Sequence, residues 1–135
     1  MKKTIRILTF CLSVFLFSGS TILAVAPPGV VENITAAIKA GNSAELAKYF
    51  NSSLEIVLPG NDGAFSKAQG EMIMKNFFAK SAPVSFSVNQ KGNSAGGAQF
   101  LIGTYKTKTE TLNVYIFLKP VNNQLLIQQM RFEAD

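Results

Sequence analysis

An α+β domain is what this sequence predicts, on three observations. Its first half carries apolar residues at helical spacing. Its second half carries four runs that alternate with period two, separated by turn-forming residues. Hairpin strands with one apolar face need a cover, and the helices supply it.

The elements follow in order. Val30, Ile34, Ala37 and Ile38 recur at helical spacing, with Glu32, Asn33 and Lys39 on other faces. Gly41-Asn42 ends this helix, and Asn42 with Glu45 resembles a capping box for a short second one. Leu46, Tyr49 and Phe50 form its apolar stripe, and Asn51-Ser52-Ser53 breaks it. Leu54 to Leu58 reads as a strand, closed by Pro59-Gly60 and the turn-rich Asn61-Asp62-Gly63. Ser66-Lys67-Ala68-Gln69 is a second capping box, opening a helix to about Lys80 that buries Met72, Ile73, Phe77 and Phe78. Gly70 weakens that helix by about 1 kcal/mol against alanine, so close packing is expected there. Pro83 stops it.

Four strands follow. Phe86 and Val88 alternate with Ser85, Ser87 and Asn89, and Gly92 to Gly97 is a turn. Phe100, Ile102 and Thr104 alternate with Leu101 and Tyr105. After a polar tip at Lys106 to Glu110, Leu112, Val114, Ile116 and Leu118 share one face, with Asn113, Tyr115 and Phe117 on the other. Pro120 to Asn123 turns the chain into the last strand, Leu125 to Phe132. No repeat or low-complexity tract interrupts this order.

Residues 1–26 have a different character. Lys2, Lys3 and Arg6 precede the apolar run Ile7 to Phe17, and small residues follow it. That is the order of a secretory signal peptide, and the run is shorter than the ~20 residues of a membrane span. Cleavage is expected after Ala26 or, because Pro27 disfavours that site, after Ser20; an uncleaved anchor is the alternative, and it alone would tie the protein to a membrane. The expected organisation is a signal peptide, 1–26, and one domain, 27–135, working in the periplasm or outside the cell.

Composition excludes much chemistry. Removing Lys2, Lys3 and Arg6 lowers the net charge from +5 to +2, and the remaining lysines are scattered, which is no footprint for nucleic acid. Cys11 is the sole cysteine, within the signal run, and there is no histidine. The mature domain therefore has no thiolate nucleophile, no Ser-His-Asp triad and no zinc site built on Cys or His. The loop Gly60-Asn61-Asp62-Gly63 lacks the acids of a calcium site. No cofactor or metal is expected.

Two segments carry a family resemblance. One runs from Lys39-Ala40-Gly41-Asn42 through Leu46-Ala47-Lys48-Tyr49-Phe50-Asn51 and Leu58-Pro59-Gly60 to Phe65-Ser66-Lys67-Ala68-Gln69; the other is Leu126-Ile127-Gln128-Gln129-Met130-Arg131. Together they resemble a family of small exported bacterial proteins of unknown function in the nuclear transport factor 2-like superfamily, also called the cystatin-like cone. The resemblance covers residues 28–133. It implies a curved antiparallel sheet that wraps a long helix and leaves a conical pocket; with the elements read above, that is a cone-like sheet of four to five strands wrapped around about three helices of the N-terminal half. It brings no catalytic residues, and the superfamily includes enzymes, binders and structural subunits.

On that fold, the pocket candidates are Tyr49, Phe50, Phe77, Phe100, Tyr115 and Met130, with Glu55, Gln128 and Arg131 as polar points. An isomerase-like enzyme needs a carboxylate base and a hydroxyl donor in an apolar pocket. Only Glu55 and Glu71 lie in elements that border a cone, and no acid–base pair is placed by spacing. A non-catalytic role is therefore expected: binding a small apolar or amphipathic ligand, or docking a partner protein. The partner reading includes a homodimer through the open sheet face, to which Leu101, Tyr105, Tyr115, Phe117 and Leu125 are expected to contribute.

Overall fold

The computed structural model describes residues 29–135. The expected signal segment, both cleavage points and Pro27 lie outside the described residues. Helix α1 spans Val30–Ala40 and buries Ile34, Ala37 and Ile38. It ends on Gly41 in the left-handed region (φ 63°). The amides of Gly41 and Asn42 there donate to the carbonyls of Ile38 and Ala37 at 3.0 and 2.9 Å, a Schellman closure. Asn42 caps α2, Ser43–Ala47, accepting from the Glu45 amide at 3.1 Å. The reciprocal half of that box is missing, because the Glu45 carboxylate pairs with Lys48 at 2.7 Å.

The second helix is shorter than its apolar spacing predicts. Phe50 is not its last residue but the first of strand β1, Phe50–Leu58, which takes in Asn51-Ser52-Ser53. Strand β2, Asn61–Ser66, occupies the stretch read as a turn, and pairs antiparallel with β1 from Leu58–Asn61 to Ser53–Ser66. Helix α3, Lys67–Lys80, has the full capping box on Ser66 and Gln69. Its buried side is Gly70, Met74, Phe77 and Phe78; Met72 is 55% exposed and Ile73 is half-buried. Gly70 has the expected close packing: a Cβ there would lie 3.2 Å from Phe50, Leu54 and Ile56.

Strands β3 (Ser85–Asn93), β4 (Gln99–Lys106), β5 (Thr111–Val121) and β6 (Gln124–Ala134) form an antiparallel meander. Asn122 and Asn123, both at positive φ, make the two-residue β5–β6 turn. The sheet has six strands in the order β2-β1-β6-β5-β4-β3, against the four to five expected. It is mixed, because β1 lies parallel beside β6. Register shifts at Val88/Gln90, Phe117/Leu118 and Phe50/Glu55 interrupt the ladders, as bulges that bend a sheet do.

One apolar cluster fills the space between the helices and the concave sheet face. Among the described residues, its buried members run from Ile34 in α1 to Phe132 in β6, with Val30 and Val31 packed against them. Among the described residues, no polar or charged residue is buried.

Candidate functional site

An aromatic cluster occupies the interior between α3 and the sheet. Phe77 from α3 lies 5.1 Å, centroid to centroid, from Phe132 of β6 and 5.6 Å from Tyr105 of β4. Tyr105 and Phe132 meet edge to face at 5.3 Å and 87°. Phe78 and Phe86 close the cluster against Tyr105 at 6.4 and 6.5 Å. Phe50, Met74 and Met130 are fully buried in the same core. Offset and edge-on rings at these distances are the packing of a filled interior. Tyr105 brings the one hydroxyl into this aromatic cluster, and it donates to the Ser81 carbonyl at 2.6 Å. Burial pushes its pKa well above the usual 10.0.

The pocket candidates therefore divide. Phe50, Phe77 and Met130 are inside and serve as core. Tyr49 is half-buried in a shallow depression between α1 and α2, and its carbonyl accepts from the Ile127 amide at 2.6 Å. Phe100, Tyr115, Arg131 and Glu55 are on the opposite, outer face of the sheet. Gln128 is the extra residue of the β6 bulge. Its side chain accepts from Asn51 at 2.9 Å and reaches the Ser53 carbonyl at 3.5 Å, bridging the gap where β1 and β6 lose register. Neither carboxylate considered as a base faces the aromatic cluster as a buried group: Glu55 is exposed and accepts from Gln129 at 3.0 Å, and Glu71 is half-buried on α3.

The outer face is built by register. One row across the strands runs Gly92, Phe100, Phe117, Gln129, Glu55, Ala64. The next runs Gln90, Ile102, Tyr115, Arg131, Val57, Asp62. Phe100, Phe117, Tyr115 and Val57 are half-buried and Ile102 is exposed. The sequence placed Leu101 and Tyr105 on this face; they point inward and are buried. Leu125 is also elsewhere, half-buried and lining a depression with Gly29 and Val30. The bulges cause part of this: inward Ile127 and inward Met130 are three residues apart, because Gln128 shifts the parity. Phe100 lies across Gly92, where a Cβ would come within 2.5 Å of its ring, so an aromatic covers the bare backbone of the edge strand.

Arg131 sits within this apolar field. Its nearest carboxylate is Glu133, at 3.6 Å, and its Nε is buried without a hydrogen-bond partner.

This architecture agrees with comparison to known proteins. The family DUF4783, a domain of unknown function, matches residues 31–133. A DUF4783 family protein from Bacteroides ovatus is 34% identical with a TM-score of 0.72, over 76% of this chain and 93% of that one. A second, from Bacteroides uniformis, is 30% identical with a TM-score of 0.75, over 79% and 98%. An NTF2-like protein of unknown function from Cytophaga hutchinsonii shares the fold at 14% identity and a TM-score of 0.57, over 78% and 86%. No curated protein matches this chain.

Proposed function

The chain belongs to the DUF4783 family, and we propose that it is an exported, non-catalytic docking module whose working surface is the outer sheet face, paired with a second copy of itself. The observation that carries this is the pair of cross-strand rows, Phe100–Phe117 and Ile102–Tyr115, with Arg131 beside Tyr115 on the same face. A half-buried apolar field on an open sheet face, with Ile102 exposed, supports an interaction surface. Its charges favour a twofold pairing, because a self-complementary patch must carry both signs. Arg131 is there with Glu55 and Glu133 on the same face. A second copy would bring carboxylates to each arginine and cover the aromatics of both.

The close packing of Phe77, Tyr105 and Phe132 supports docking over a ligand site at that part of the interior. A ligand site needs a cavity that side chains leave open. Export belongs to the same proposal and is supported by the basic, apolar, small-residue order of residues 1–26. N-terminal sequencing of the protein recovered from the periplasm or medium tests it, with a new terminus after Ser20 or Ala26 expected.

Light scattering behind size exclusion tests the pairing. Residues 29–135 are expected to elute as a dimer at tens of micromolar, and Ile102→Asp and Phe117→Asp as monomers with unchanged circular dichroism. A monomeric wild type at that concentration overturns the pairing.

A further inference from the structure

Helix α3 leaves one thioether in the open. Met72 is 55% exposed, whereas Met74, two residues on, and Met130 are fully buried. The sequence assigned Met72 to the core. The helix instead turns Gly70, Met74, Phe77 and Phe78 inward, which puts Met72 on the solvent side of the wheel. Its neighbours one turn away, Ala68, Gln69, Lys75 and Asn76, are themselves exposed, so the sulfur stands among side chains in contact with water. The open depression of about 500 Å³ beside it leaves room for a small molecule to approach. Few other groups compete for an oxidant. The chain has no tryptophan and no histidine, and its one cysteine, Cys11, lies outside the described residues.

We propose that Met72 is an oxidation site, where a hydroperoxide converts the thioether to methionine sulfoxide. A sulfur lone pair attacks one peroxide oxygen, and the S–O bond forms as the O–O bond breaks. The proton on the transferred oxygen passes to the departing one, so hydrogen peroxide leaves as water. Sulfur gives up two electrons and the peroxide takes them. Burial decides which methionine reacts. Met74 and Met130 meet oxidant only when the domain opens, which a folded domain does for a fraction on the order of 10⁻³ or less of its time. Helix α3 also tolerates the product at Met72, because a sulfoxide oxygen there is hydrated. At Met74 the same oxygen would be enclosed among apolar side chains. Exposure leaves the product open to the reductases that return sulfoxide to thioether, so the change is reversible. The site lies on α3, away from the outer sheet face, and does not depend on pairing there.

The test is mass spectrometry of the protein purified from cells expressing the full chain, held native in dilute hydrogen peroxide and sampled over time. Met72 and Met74 share one tryptic peptide, residues 68–75, so fragment ions assign the added oxygen. Met72 is expected to oxidise at least about a hundredfold faster than Met74 and Met130, with circular dichroism unchanged. In Met72→Leu, peptide 68–75 should stay unmodified over the same period. In denaturant, Met72, Met74 and Met130 should react at similar rates. Methionine sulfoxide reductases A and B together should restore the original mass of the folded protein. Native Met74 or Met130 oxidising as fast as Met72 overturns the proposal. A preference for Met72 that persists in denaturant also overturns it, because burial would then not be the cause. A sulfoxide that the reductases leave in place overturns the reversibility.

Discussion

The Tyr105 hydroxyl donates to the Ser81 carbonyl at 2.6 Å, tying strand β4 to the residue that ends helix α3. The bond explains how a polar atom is tolerated in an aromatic cluster. It also removes Tyr105 as an oxyanion donor, since its proton is already engaged. Tyr105→Phe should cost about 1 kcal/mol in chemical denaturation, because it leaves the Ser81 carbonyl without that partner.

The same burial gives a pH dependence. Tyr105 has a raised pKa in the folded protein, so its protonated form is favoured there. Its contribution is fully present below the unfolded-chain value of 10.0 and is lost as pH rises above it, because the unfolded chain then releases a proton that the folded one retains. Stability should fall above about pH 10. The fall should be shallower in Tyr105→Phe, which shares the other tyrosines and lysines and so isolates this one group.

Two glycines offer a graded test of the sheet. A Cβ at Gly103 would meet the Ser87 carbonyl at 2.5 Å and the Phe86 ring at 2.9 Å; at Gly92 it would meet only the Phe100 ring. A backbone atom cannot swing aside as a side chain can. Gly103→Ala should therefore cost about 2–3 kcal/mol, and Gly92→Ala nearer 1 kcal/mol. Gly92→Ala should weaken dimerisation as well, since Phe100 must leave its place on the outer face. Equal losses from the two substitutions would show that the edge strand is as confined as the interior.

Local signals were legible in the sequence where a residue acts on its close neighbours. Ser66 and Gln69 announce the start of α3, and Gly41 ends α1 as read. Errors arose where distant strands decide. Phe50 follows Leu46 at helical spacing, but pairing with Ile127, 77 residues on, draws it into β1. Asn61-Asp62-Gly63 has turn composition and becomes a strand because β1 supplies the ladder. Met72 and Ile73 are as apolar as Met74, and only the position of the sheet selects Met74 for the core. On the outer face, the rows that bring Phe100 to Phe117 and Arg131 to Val57 depend on register, to which alternation within one strand is blind.

Gln128 tests whether the β6 bulge is built or incidental. Its bonds to Asn51 and the Ser53 carbonyl span the region where β1 and β6 are out of register. Gln128→Ala should cost about 1 kcal/mol and raise amide exchange in residues 51–54 ahead of the rest of β1. Uniform exchange across β1 in the variant would mean the bulge holds without this side chain.

Phe132 offers the means to separate a filled interior from an open one. Phe132 is fully buried, with Phe77 at 5.1 Å and Tyr105 at 5.3 Å. Phe132→Ala should cost about 3–5 kcal/mol and leave a dry, aromatic-lined cavity. Such cavities take up small apolar molecules, so benzene should raise the melting temperature of the variant. Wild type should show no shift, because its ring already occupies the space. If benzene stabilised wild type equally, the interior would have room for a ligand, and Phe77 and Met130 would return as pocket lining. A shift confined to the variant removes this part of the interior as a ligand site.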